Sequence, residues 1–165
     1  MVNEFQKQVN ILPAIGVPGQ HMSTNPLVST QKCYCAADTV TIGSFVWAVT
    51  EDENNAFVKS EGTEGKPLGF AVREITNPLG YNKSASNTVP KGFPVSVAVK
   101  GDFAVITKTV ATVGQSVFAV LADGSIKTGT VGDEAVNDAI ETDYKVVNIN
   151  GGGNVGDIIV ISNWA

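Results

Sequence analysis

The sequence predicts an all-β protein. We expect a single β-barrel or jelly-roll-like sandwich of about ten short antiparallel strands over residues 31–165, preceded by an extended N-terminal arm over residues 1–30. Three observations predict it. Short apolar runs recur from residue 39 onward, each ended by Gly, Asn, Asp or Pro. Asp123-Gly124 stands between two of those runs, a strong hairpin signal because glycine takes positive φ without steric cost. No strand-like run alternates with a long helical pattern, which removes the parallel nucleotide-binding folds.

The arm comes first in the chain. Residues 1–30 hold three of the seven prolines, and their apolar residues lack helical spacing. Ile11, Leu12, Ile15 and Val17 are nevertheless too apolar for a free linker. Such a segment is either an edge strand or loop packed on its own domain, or an arm that lies on a neighbouring subunit and orders on assembly.

In "TVTIGSFVWAV", residues 39–49, Phe45, Trp47 and Val49 alternate on one face, with Gly43 at a bulge or corner. "LGFAVRE" (68–74) and "FPVSVAV" (93–99) follow, the second placing Val95, Val97 and Val99 together. Lys100-Gly101-Asp102 turns the chain into "FAVITKTV" (103–110), and the Asp-Gly hairpin succeeds it. "DYKVVNI" (143–149), an "NGGGNVGD" turn and "IIVIS" (158–162) close the domain before Trp164. "IIVIS" and "FAVIT" are apolar on both faces, which fits either a strand covered on both sides or an outer face that meets a partner.

Two polar stretches read as rim loops, 50–67 and 130–143. The second carries five carboxylates and no basic residue, and is expected to hold a helical turn with Asp133 as N-cap and Val136, Ala139 and Ile140 on one face.

Composition narrows the function. A net charge of −5 and a pI near 4.7 exclude the basic stripe of a nucleic-acid binder and the clustered cations of a membrane-surface protein. Pro13, Gly16, Pro18 and Gly19 interrupt what would be the apolar core of a secretion signal, and no run is long enough to span a bilayer, so synthesis in a cytoplasm is expected. Cys33 and Cys35 are too close for an unstrained bridge and read as two reduced, packed thiols. With one histidine, a Cys/His zinc site cannot be completed.

Catalytic patterns are equally sparse. A triad would have to use His21, in a Pro/Gly-rich segment far from any nucleophile motif. "EGTEGKP" places Pro67 where a phosphate loop needs a hydroxyl, and "DENNA" (52–56) lacks both the bend glycine and the closing glutamate of a calcium loop. Trp47, Trp164 and the tyrosines offer material for a sugar-stacking platform, although Trp47 lies in an apolar strand that favours the core. No catalytic residue, cofactor or metal is expected.

The order of motifs carries more than any one of them. "GVPGQ" (16–20), "NP" (25–26), "TIGSFVWAV", "PLGFAVRE", "VPKGFPVSVAVKGDFAV", "VGQSVFAVLADGSIKTG" and "DIIVISNW" together resemble the bacteriophage capsid cement, or decoration, protein family, from about residue 12 to the end. The resemblance implies a structural protein on the outer surface of a viral head that clamps neighbouring major capsid protein subunits after the shell expands. It implies a homo-oligomer, dimer or trimer, with no nucleic acid or membrane partner. Ile11, Leu12, Ile15 and Val17 are then the candidate contacts to capsid protein or a neighbouring copy. The alternatives are a β-sandwich carbohydrate- or receptor-binding module of a head fibre or tail and, third, a hydrolase using His21.

Overall fold

The computed structural model describes residues 16–49, 51, 53–54, 56–74, 87–149 and 152–164. The chain forms β1 (Val28–Ser29), β2 (Tyr34–Ala36), β3 (Val40–Thr41), β4 (Phe45–Ala48), β5 (Phe57–Lys59), β6 (Gly69–Ala71) and β7 (Thr88–Val89). There follow β8 (Pro94–Val95), β9 (Val97–Lys100), β10 (Asp102–Ile106), β11 (Ser116–Val120), β12 (Ile126–Gly129), β13 (Ala139–Asn148) and β14 (Ile158–Ser162). The larger sheet has the order β1-β9-β6-β4-β5-β2-β8, and a five-stranded sheet has the order β10-β14-β13-β11-β12. β3 and β7 pair as a separate ribbon. The architecture is sandwich-like rather than a closed barrel.

Two cores explain why several strands are apolar on both faces. The first lies between the two sheets and takes Phe45, Trp47, Phe70 and Ala98 from the larger sheet against Phe103, Val117, Tyr144 and Ile161 of the smaller. The second takes the intervening residues Val46, Ala71 and Val97 with Tyr34, Val58 and the ribbon's Val40 and Val89. Successive side chains of β4, β6 and β9 therefore enter different cores, as the two-residue period of a strand requires. Only Ser96 separates β8 from β9, so the two regions of the larger sheet are joined by one bent stretch of chain, and the sheet curls around the second core. In the smaller sheet, Ala104 and Val160 are also buried opposite the first core, so the chain covers part of the second face of "FAVIT" and "IIVIS", while Ile106 on the Ala104 side is 41 % exposed.

Aromatic rings seal the sheets together. Phe70 and Phe103, one from each sheet, stack at 4.5 Å and 20°. Phe45 meets Phe70 edge-on at 5.5 Å and Tyr144 at 5.6 Å. Offset-stacked and edge-to-face pairs of this kind add about 0.5–1.5 kcal/mol beyond the area they bury.

The Asp-Gly hairpin is present, joining β11 to β12 with Ala119 opposite Ile126 and Ser116 opposite Gly129. Its tip also fastens the sheets, since the Phe45 N–H of β4 donates to Gly124 O at 2.8 Å. Gly124 has φ +67°, and a Cβ there would lie 2.1 Å from Phe45 O. Gly43, at φ +86°, is the expected corner between β3 and β4. Lys100-Gly101-Asp102 is a different kind of turn: it carries the chain from β9 in one sheet to β10 in the other.

Some expectations need correction. β2 and β5 pair parallel, against the antiparallel rule that holds for the other paired strands. Residues 57–59 of the supposed rim loop form β5. In the acidic stretch only Glu134–Val136 make a 3-10 turn; Ala139 and Ile140 already belong to β13. Asp133 makes no side-chain cap, because its carboxylate instead accepts the Thr130 N–H at 2.9 Å and closes the preceding turn. The thiols are free, as expected, but Cys33 is exposed and Cys35 only half-buried.

Candidate docking surfaces

Residues 17–29 run along the domain they precede. Gly19 N–H donates to Ala104 O at 2.8 Å, Ala104 N–H to Gln20 O at 3.0 Å, and Met22 N–H to Asp102 O at 2.8 Å. These bonds satisfy the outer edge of β10, which would otherwise expose a row of backbone groups. The segment then crosses to the other sheet, where β1 pairs antiparallel with β9, Val28 opposite Lys100.

Asp102 fixes this crossing. It is buried at 4 % exposure, and its carboxylate accepts the Ser23 hydroxyl and, at 2.7 Å, the Asn25 side-chain amide. Burial acts to raise the Asp102 carboxyl, but hydrogen bonds from Ser162, Ser23 and Asn25 and the field of His21 outweigh it and hold the group below the usual carboxylate value. Asp102 Oδ1 and His21 Nε2 are buried without a hydrogen-bond partner. The anchor is therefore an ionised group tying residues 23–25 to the corner between the sheets.

Exposed apolar groups gather in two places around this frame. At the first, the terminal strand β1 and its neighbours present Leu27, Val28, Val99 and Trp164, with Lys100 Nζ 4.8 Å from the Trp164 ring centre. The second is the end of the five-stranded sheet where β10 and β13 finish and β11 and β14 begin. Ala111 N–H donates to Gly153 O at 2.7 Å and Gly156 N–H to Thr107 O at 2.8 Å, binding two loops together there. The chain after β12 leaves beside them, since Gly129 pairs with Ser116. Val110, Val113, Val131 and Val155 stand on these loops, each more than 60 % exposed. Valine side chains on separate loop tips do not pack on one another along a strand, so no periodicity announces them; relative exposure does.

The expected contact residues divide accordingly. Val17 is 45 % exposed, immediately before the residues that pair with β10. Ile11, Leu12 and Ile15 lie outside the described residues.

The chemical alternatives find little support in the geometry. His21 bridges to Phe103 on the five-stranded sheet with its ring 6.0 Å away, whereas Cys35 belongs to β2 of the larger sheet. Trp47 is 6 % exposed, its indole N–H donating to Gly65 O at 3.0 Å, so it is held in the core and is no part of a platform with Trp164. An open groove of about 350 Å³ runs past Pro18, Ile42, Ile106 and Ile126 without an aromatic lining. Among the described residues no three His, Cys, Asp or Glu side chains converge on a possible metal position. No helix among them is long and apolar enough to cross a membrane.

Comparison with known proteins places this frame. No curated protein matches the chain in sequence. Its fold is similar to that of a solved chain from the capsid of Myoviridae phage XM1, with a TM-score of 0.63 at 15 % identity, covering 99 % of this chain and 96 % of that one. The sequence itself matches the family described as XM1 gp53 minor capsid protein over residues 5–163. The chain is a capsid-associated, structural virion protein and belongs to the XM1 gp53 minor capsid protein family.

Proposed function

We propose that this protein sits on the outer surface of a phage head and cements neighbouring major capsid protein subunits, stabilising the expanded shell without catalysing a reaction. The family match over residues 5–163 carries this reading, because it joins the whole domain to a capsid. The valine-tipped loop end supports it: four apolar side chains, each more than 60 % exposed, are unusual to leave facing water. The arm bearing Ile11, Leu12, Ile15 and Val17 adds a second contact, to capsid protein or to a neighbouring copy. A protein that binds the closed shell and not its dissociated subunits stabilises the shell by mass action at every occupied site. Symmetry repeats each site, so individually modest contacts suffice.

Binding of the purified protein to expanded heads stripped of it tests the reading. Wild type should saturate heads from outside and raise their disruption temperature. Val110→Asp with Val155→Asp should weaken attachment at least tenfold while leaving the circular dichroism spectrum unchanged. Failure of wild type to bind intact heads, or binding with no gain in shell stability, would reject the cementing role. Removal of residues 1–15 should lower attachment separately; unchanged attachment would reject the arm contact alone.

A further inference from the structure

Among the described residues, three edges of the two main sheets are covered or blunted. The edge of β10 is covered by residues 19–22, through the bonds to Ala104 and Asp102. The edge of β12 is covered by residues 107–109, with Lys108 N–H donating to Ile126 O at 2.8 Å and Thr128 N–H to Thr109 Oγ1 at 2.7 Å. β8 ends the larger sheet opposite β1, is only two residues long, and begins with Pro94, which has no N–H to offer a further strand. β1 is different. It ends the larger sheet, pairs on one side only among the described residues, and is the one described strand in which every residue is exposed.

An exposed strand edge flanked by apolar side chains is a template for another strand. This one is rigid, because Asp102 grips Ser23 and Asn25 just before it and Thr30 N–H donates to Val97 O just after it. Leu27, Val28 and Val99 flank it, and Lys100 stands opposite Val28.

We propose that β1 receives residues 5–11 of a second copy of this chain as an added strand. The sequence "EFQKQVNI" supplies the strand pattern: Phe5, Val9 and Ile11 share one parity, interrupted there only by Lys7, with Gln6, Gln8 and Asn10 on the other. Pro13 then stops the ladder, since it has no N–H to give. Glu4 precedes the pattern with a charge opposite to that of Lys100. Fifteen residues precede Gly16, a reach of roughly 50 Å when extended, enough to leave one domain and lie on the next. The inference rests on the arm reading given above and names its receiver.

The test uses the full chain. A photoreactive benzoylphenylalanine replaces Phe5 in unlabelled protein, which is mixed with ¹⁵N-labelled protein and irradiated, and the cross-linked peptides are identified by mass. The expected products join unlabelled residue 5 to labelled residues 27–29 or 99–100. Cross-links confined to one chain, or to other surfaces, would overturn the proposal. Sedimentation gives an independent readout: Val28→Lys and Ile11→Asp should each weaken self-association at least tenfold while leaving the far-ultraviolet spectrum unchanged. A wild-type chain that stays monomeric at every concentration, or variants that associate like wild type, would also overturn it. If removal of residues 1–15 lowers head attachment while these cross-links are absent, the arm reading stands and this receiver is wrong.

Discussion

Replacing Gly124 by alanine isolates the contact between the hairpin tip and the opposite sheet. The new Cβ would meet Phe45 O at 2.1 Å, so the tip must withdraw from β4 and loosen the bond from Phe45 N–H, now 2.8 Å. A non-glycine residue at φ +67° adds a conformational cost. Such left-handed strain is worth about 1–3 kcal/mol and the lost hydrogen bond about 0.5–1.5 kcal/mol. The sum, about 1.5–4.5 kcal/mol, should lower the melting temperature by roughly 3–18 °C for a domain of this size. Gly132 is the control: at φ +95° a Cβ there has nothing within 4 Å, so Gly132→Ala pays the backbone term alone. Its expected cost is that strain by itself, about 1–3 kcal/mol. Urea unfolding of both variants decides the matter. Equal losses would refute the argument that close approach, rather than turn conformation, fixes glycine at position 124.

Three further outcomes follow from the same geometry. Because the Asp102 carboxyl is held below its ordinary value in the folded chain, its contribution is complete above about pH 3.9 and is lost as pH falls through the lower folded value; acid melts should steepen there, and Asp102→Asn should flatten that part of the profile while destabilising the protein near neutrality. In a Trp164→Phe variant the remaining Trp47 emission should resist iodide quenching, whereas in Trp47→Phe the half-exposed Trp164 should be readily quenched; an accessible Trp47 would contradict its place in the core. Cys33 should react with a disulfide reagent in the native state well before Cys35, and equal rates would contradict the difference in their exposure.

Much of the fold was legible because strand signals here are local. Asp123-Gly124 between apolar runs announces a hairpin, and the alternation of Phe45 and Trp47 marks a face that does enter the first core. The two-sided runs were legible as buried strands, but that the chain covers Ala104 and Val160 while leaving Ile106 exposed depended on the tertiary arrangement. Strands of two or three residues, such as β1, β5 and β7, are too short to show a period, and they exist because their neighbours supply partners. The parallel pairing of β2 with β5 brings Cys35 against Phe57, residues far apart in the chain, which no local pattern encodes. Ala139 and Ile140 fit a helical face by spacing, yet Ile140 and Ala139 pair with Ala119 and Val120, and tertiary pairing overrides the weak turn preference. The docking surfaces were the least legible part. Val110, Val113, Val131 and Val155 look in sequence like any strand-forming valine, and only the converging loops bring them to one end.

The central claim is that this chain belongs to the shell in number as well as in kind, and quantitative mass spectrometry of purified virions tests it most directly. The copies of this protein are counted against copies of the major capsid protein in the same particles. A shell-wide cement predicts a ratio of small whole numbers, unchanged after the tails are sheared away. A handful of copies per particle, or loss of the protein with the tail fraction, would contradict it.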